Sequence, residues 1–129
     1  MVKASKRKTI LALVATDSTF SRKSFRGREV WEGRCIFSGR KLYVSLDGEP
    51  INDVTIEHII PRTHGGDDSL MNLALAGGRA NAQKGARLDK RRFDDPTLQR
   101  VIRDLLAKRQ ERFRDPETVG IQVPAQLLP

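Results

Sequence analysis

Apolar positions along the chain fall into short clusters separated by polar and turn-forming stretches, and each cluster predicts one element. Thr9 to Thr16 is apolar enough to be buried but too short for its period to separate helix from strand; we read it as helix. Met1 to Lys8, before it, is expected to be loose at its start. Asp17 to Lys23 reads as a Ser- and Thr-bearing turn, and Phe25 to Gly33 fits either a hairpin or a helix, with the single Trp31 as a core anchor. Lys41 to Leu46 alternates as a strand does. Asp47-Gly48-Glu49-Pro50 is turn chemistry leading back toward the next strand, with Asp53 decorating that turn. Val54 to Ile60 is rich in β-branched residues and predicts a strand that stops at Pro61. Pro61 to Ser69, with Gly65-Gly66 and Asp67-Asp68, is a loop. Asn72 to Ala76 predicts the return strand, Gly77-Gly78 breaks it, and Arg79 to Lys84 suits a short helix ended by Gly85.

Beyond that unit, Asp94-Asp95-Pro96 is a helix start, an Asp cap followed by Pro at the first helical position. Leu98, Val101, Ile102, Leu105 and Leu106 keep the spacing of an amphipathic helix, expected over about 96–113. Arg100, Arg103, Lys108 and Arg109 are expected mostly off the apolar stripe. The tail to Pro129 has apolar residues without a period and suits packing along the surface or against a partner.

Composition narrows the class. The 129 residues predict one domain, 1–129. Aromatics at 5% and charged residues at 31% predict a small aliphatic core. A net charge of +8 and a pI near 10.3 favour a polyanionic partner, although the same numbers describe a basic protein without one. The single cysteine, Cys35, excludes an internal disulfide and fits a reducing, cytoplasmic setting. No apolar run is long enough to span a bilayer. Lys6-Arg7-Lys8 ahead of Ile10 to Ala15 has the order of a signal peptide but no cleavage site follows, so it is read as part of the fold. The three cations suit either phosphate contact or a solvated terminus.

Residues with chemistry sit at the seams of the stretch about 54–85. Glu57-His58 closes the first strand, Asn72 opens the second, and Asn81 and Lys84 share a face of the short helix. This ordered set, with Pro and Gly-Gly in the loop, resembles the ββα-metal motif of HNH endonucleases. The Asp-Asp-Ser-Leu-x-Asn run and the Asn-x-x-Lys spacing also resemble the HNH domain of RNA-guided CRISPR nucleases. The resemblance implies an α+β fold: a ββα-metal (His-Me finger) core over about 54–85, flanking helices and an additional β-hairpin. It implies Glu57 and Asn81 as ligands of Mg²⁺ or Mn²⁺, His58 as the base that activates water, and Asn72 as a brace that holds the loop and with it His58. Products would carry 5′-phosphate and 3′-hydroxyl ends. An imidazole titrates near neutral pH, and carboxylate and amide oxygens suit a hard, mostly hydrated cation. Adjacent strand residues point to opposite sides, which suits in-line attack with base and metal on either side of the phosphorus.

The chain departs from the family at one place. Many HNH domains carry two CxxC pairs binding a structural zinc; here Cys35 faces Ser38, and the second pair falls at Gly77 and Ala80. One thiolate cannot hold that zinc, so none is expected, and Ile36, Phe37, Leu42 and Leu75 are candidates to replace it by packing. Cys35 then becomes a small buried hydrophobe. His64 is expected to be structural. Lys84, Arg62, Arg79, Arg87, Lys90, Arg91 and Arg92 are candidate nucleic-acid contacts. The expected activity is hydrolysis of DNA phosphodiester bonds, by a chain that acts alone, as a homodimer or within a larger nucleoprotein assembly. The alternatives are an inactive nucleic-acid-binding module on the same scaffold, and a nuclease acting on RNA.

Overall fold

The computed structural model describes residues 1–79 and 90–128. Among them are two α-helices and two small antiparallel sheets, an α+β arrangement. Helix α1 (Ala4–Ala15) starts well before the apolar run. The loose N-terminal segment expected from the sequence is therefore corrected. Arg7 donates to the Val2 carbonyl (2.7 Å) and faces the Glu49 carboxylate (3.9 Å), and the Val2 N–H donates to Glu49 (3.0 Å). These contacts pin the first turn to the Asp47–Pro50 corner. The second half of α1 supplies Ile10, Leu13 and Val14 to the core.

Strands β1 (Ser21–Phe25) and β2 (Arg28–Arg34) form a hairpin, which decides between the two readings of Phe25 to Gly33. Its two-residue turn has positive φ at both Arg26 (52°) and Gly27 (81°), the backbone that matches strand twist in tight hairpins. Trp31 is buried, with the Arg22 guanidinium 5.7 Å from its ring centroid. Strand β3 (Lys41–Ser45) pairs with β2, so the additional hairpin becomes a three-stranded sheet. The turn after β3 does not return into a ladder with the next strand; only an isolated bridge, Val44 to Pro50, forms.

Strands β4 (Val54–His58) and β5 (Leu73–Gly77) pair antiparallel, with Glu57 opposite Ala74 and His58 opposite Leu73. Both boundaries shift from those expected. β4 ends at His58 because the Asn72 side chain takes both backbone groups of Ile60. Asn72 closes a 3₁₀ turn (Leu70–Asn72) instead of opening the strand. Gly78 and Arg79 have helical backbone. Asp53 begins that turn and does not merely decorate a loop: its carbonyl accepts from Gly78 N–H and its carboxylate from Arg79 N–H, both at 2.9 Å. The rest of the predicted short helix, with Asn81 and Lys84, lies outside the described residues, as do Gly85 and Arg87 after it.

The two sheets are joined through Cys35 and Ile36. Ile36 N–H donates to the Leu75 carbonyl (3.1 Å), and Gly77 N–H donates to Cys35 Sγ (3.3 Å). Ile36, Leu42 and Leu75 are buried and Phe37 packs against them. Burial raises the Cys35 thiol pKa, but hydrogen bonds from the Ser38 hydroxyl and the N–H groups of Ser38, Gly77 and Phe37 outweigh it and the net shift is downward.

Helix α2 (Pro96–Arg112) starts as expected, with the Asp95 carboxylate accepting the Leu98 N–H at 3.0 Å. Its buried face is Leu98, Ile102, Leu105 and Arg109. Arg109 was expected off the stripe; it is instead 1% exposed and donates to the carbonyls of Leu70, Leu73 and Thr16 and to the Thr16 hydroxyl. The tail forms short 3₁₀ turns, and Val119, Ile121, Val123 and Leu128 pack against the core. Among the described residues no helix is long and apolar enough to cross a membrane.

Candidate active site

The loop from Ile59 to Asn72 is built around one buried amide. Asn72, 5% exposed, accepts the Ile60 N–H at Oδ1 (2.8 Å) and donates from Nδ2 to the carbonyls of Asp67 (2.8 Å) and Ile60 (3.2 Å). Its backbone carbonyl also accepts the Ile59 N–H (2.8 Å). Both ends of the loop thus meet on one side chain, directly after His58. Gly66 lets the loop close: a Cβ there would overlap the Ile60 carbonyl oxygen.

Closure brings Asp68 onto His58. The imidazole Nε2 lies 2.7 Å from Asp68 Oδ1, and Arg62 Nη2 donates to the same oxygen at 3.1 Å. The His58 hydrogen bond holds the Asp68 carboxyl below the usual carboxylate range, with the Arg62 charge adding to it and desolvation opposing. An ionised carboxylate can only accept, so a 2.7 Å contact requires the proton on Nε2. Arg62 Nε, 3.2 Å from the same nitrogen, then faces an N–H and stays in place through its bond to Asp68. In the neutral imidazole the remaining nitrogen, Nδ1, is then the one with a lone pair. His58 is 21% exposed at its side chain, enough for solvent or substrate to reach it.

Ile56 and His58 line a cavity of about 430 Å³ with Arg62, Asp68, Leu70 and Leu73; Glu57, between them on the strand, does not. The alternation of the strand thus separates the imidazole from the carboxylate, as the sequence reading anticipates. Glu57 is half-buried. Among the described residues no group of three or more His, Cys, Asp and Glu side chains is placed to hold a metal ion. The expected partner of Glu57, Asn81, lies outside them, as do Lys84 and Arg87.

The other candidate residues are dispersed. Arg79 is exposed beyond β5. Lys90, Arg91 and Arg92 are exposed, and two of them pair locally, Arg91 with Asp95 (3.2 Å) and Arg92 with Asp94 (3.3 Å). His64 packs its ring edge against Phe93, centroids 5.6 Å apart. Asp68 is the residue that reading the sequence passed over as a site member. Its signal was present in the Asp-Asp-Ser run, but acidic pairs are common in loops, and only the Asn72 closure selects the second aspartate.

A family model described as HNH endonuclease matches residues 35–89, from Cys35 through β3, β4 and β5. Helix α1, the β1–β2 hairpin and α2 fall outside the matched segment. The comparisons with curated proteins and with solved structures gave no match.

Proposed function

We propose that the chain, which an HNH endonuclease family model matches over residues 35–89, belongs to that family and is a divalent-metal-dependent nuclease that hydrolyses DNA phosphodiester bonds. The family assignment by itself carries nuclease chemistry on nucleic acid. The finer reading rests on one observation, the Asp68-held imidazole of His58 at the end of β4, facing a cavity.

In this reading His58 Nδ1 takes a proton from water as the water oxygen attacks phosphorus. Asp68 keeps Nε2 protonated, so the attacking side of the ring retains its lone pair. Asn72 fixes the chain on both sides of the loop, and with it the angle between imidazole and carboxylate. The bond to the 3′-oxygen breaks, leaving a 5′-phosphate and a 3′-hydroxyl that collects its proton from solvent. Glu57, half-buried on β4 next to His58, is the carboxylate that this reading gives to a cation, with Asn81 as its amide partner. One carboxylate and one amide suit Mg²⁺ or Mn²⁺, which keep most of their water, and one cysteine cannot supply a zinc site. A cation there would supply Lewis acidity at a phosphate oxygen and at the leaving oxygen. Arg62 beside His58, and Arg79, Lys84, Arg87, Lys90, Arg91 and Arg92 beyond, would hold the strand through its phosphates.

The test is a supercoiled-plasmid assay across divalent ions. Nicking with Mg²⁺ or Mn²⁺, loss of it in EDTA, and loss of turnover with retained binding in His58→Ala are expected. Binding without cleavage under every divalent ion would replace the enzyme by a binding module. Cleavage of RNA but not DNA would move the substrate.

A further inference from the structure

The cavity that His58 faces has a second wall, and it comes from outside the matched family segment. Ser5, Lys6 and Thr9 of α1 stand across from His58, Arg62 and Asp68. The structure thereby sorts three consecutive cations that the sequence leaves equivalent. Lys6 lines the cavity; Arg7 is turned to the Val2 carbonyl and Glu49; Lys8 is exposed and lines no part of the cavity. Among the described residues the only carboxylate lining the cavity, Asp68, is already engaged by His58 and Arg62. Among the described residues Lys6 makes no ion pair at the cavity. At about 430 Å³ the space is near the small end of the roughly 300–1,000 Å³ of ligand clefts, closer to one nucleotide unit than to a duplex. Ile56, Leu70 and Leu73 give it an apolar floor suited to a sugar face.

We infer that α1 is the second wall of the substrate cleft and that Lys6 binds a backbone phosphate of the strand presented to His58. This rests on the nuclease reading above and extends it to a helix that the family match does not cover. Cations from two walls, Lys6 and Arg62, then hold one strand between them, and the hydroxyl of Ser5 is a further donor at the same wall.

The experiment measures binding of a short DNA duplex and of its single strand to full-length protein by anisotropy, over a salt series. All proteins carry His58→Ala so that nothing is cut. Lys6→Ala is compared with Lys8→Ala, which removes the same charge from the same helix, and with Lys6→Arg. Expected is a salt dependence whose slope falls by about one in Lys6→Ala, with weaker binding, a smaller change in Lys8→Ala, and recovery in Lys6→Arg. Equal effects of Lys6→Ala and Lys8→Ala, or none, would overturn the assignment while leaving the nuclease reading intact. Failure of the His58→Ala parent to bind either DNA would overturn both.

Discussion

Nε2 of His58 lies 2.7 Å from Oδ1 of Asp68, a residue ten positions later that only a closed loop could bring there. The contact sets which nitrogen carries the proton in the neutral ring and, on the nuclease proposal, which one is left to act. Asp68→Asn keeps the shape but not the charge. The amide can turn either its oxygen or its NH₂ to the ring, and the tautomer is no longer fixed. A general base contributes about 10²- to 10⁴-fold, and at a carboxylate as exposed as this one water can stand in for part of the role. Asp68→Asn should therefore lower kcat roughly tenfold with KM changed less than about twofold. Single-turnover nicking rates over a substrate series check this; an unchanged kcat would remove Asp68 from the positioning of His58.

Asn72 is the more sensitive of the two supports because it is buried and uses both ends of its amide. Asn72→Asp retains an acceptor for the Ile60 N–H. Its second oxygen, however, faces the carbonyls of Ile60 and Asp67, where the amide donated. Acceptor would meet acceptor without water to relieve it, which costs more than leaving one group unpaired, about 1–3 kcal/mol. We expect Asn72→Asp to be less stable than Asn72→Ala in urea titrations, and both to lose activity. The reverse order would mean that the loop relaxes around the acid.

The contrast between these residues and others explains what the sequence discloses. β4, the glycine-bearing loop and β5 are legible because β-branched residues, Pro61 and Gly65-Gly66 act locally. The start of α2 is legible because Asp95-Pro96 is a cap that needs no tertiary partner. Asn72 is legible through its place in the motif. Asp68 is not, since its role exists only once Asn72 has closed the loop. Arg109 sits on the helical period, eleven residues after Leu98, but its charge argues against burial; four oxygens contributed by distant segments reverse that argument. Lys6 reads as part of a loose terminus because the partners of the first helical turn, Glu49 among them, are far away in the chain.

Acid should destabilise the fold through its loop carboxylates. Asp67 is held below the usual range by the Ser69 hydroxyl and N–H, and Asp95 by the Leu98 N–H first, with Arg91 adding to it. A lowered folded-state pKa means that the unfolded chain binds more protons in this window. Stability is thus fully present above the ordinary value of 3.8 and is lost as pH falls through the lower folded values. The urea midpoint should drop as pH falls below about 4. Asp95→Asn, which still caps but does not titrate, should flatten part of that slope. A midpoint independent of pH over this range would contradict the assignment of these carboxylates.

Arg109 carries the largest stability prediction. Its guanidinium ties three segments: Thr16 after α1, the Leu70–Asn72 turn, and Leu73 opposite His58. Burial pushes its pKa down, and the nearby Asp17 charge opposes that. Truncation to Ala would strip a buried donor set from three carbonyls and leave a cavity. With about 1–3 kcal/mol for each unsatisfied buried group, a total loss of about 3–5 kcal/mol is expected even after water enters. That is a large part of the 5–15 kcal/mol typical of a domain. Arg109→Lys keeps the charge but has one nitrogen for four acceptors, so it should recover only a minor part. Chemical denaturation of the two variants beside Arg103→Ala, an exposed position on the same helix, checks the ranking. If Arg109→Ala cost no more than Arg103→Ala, the guanidinium would not be what joins α2 to the strand behind His58.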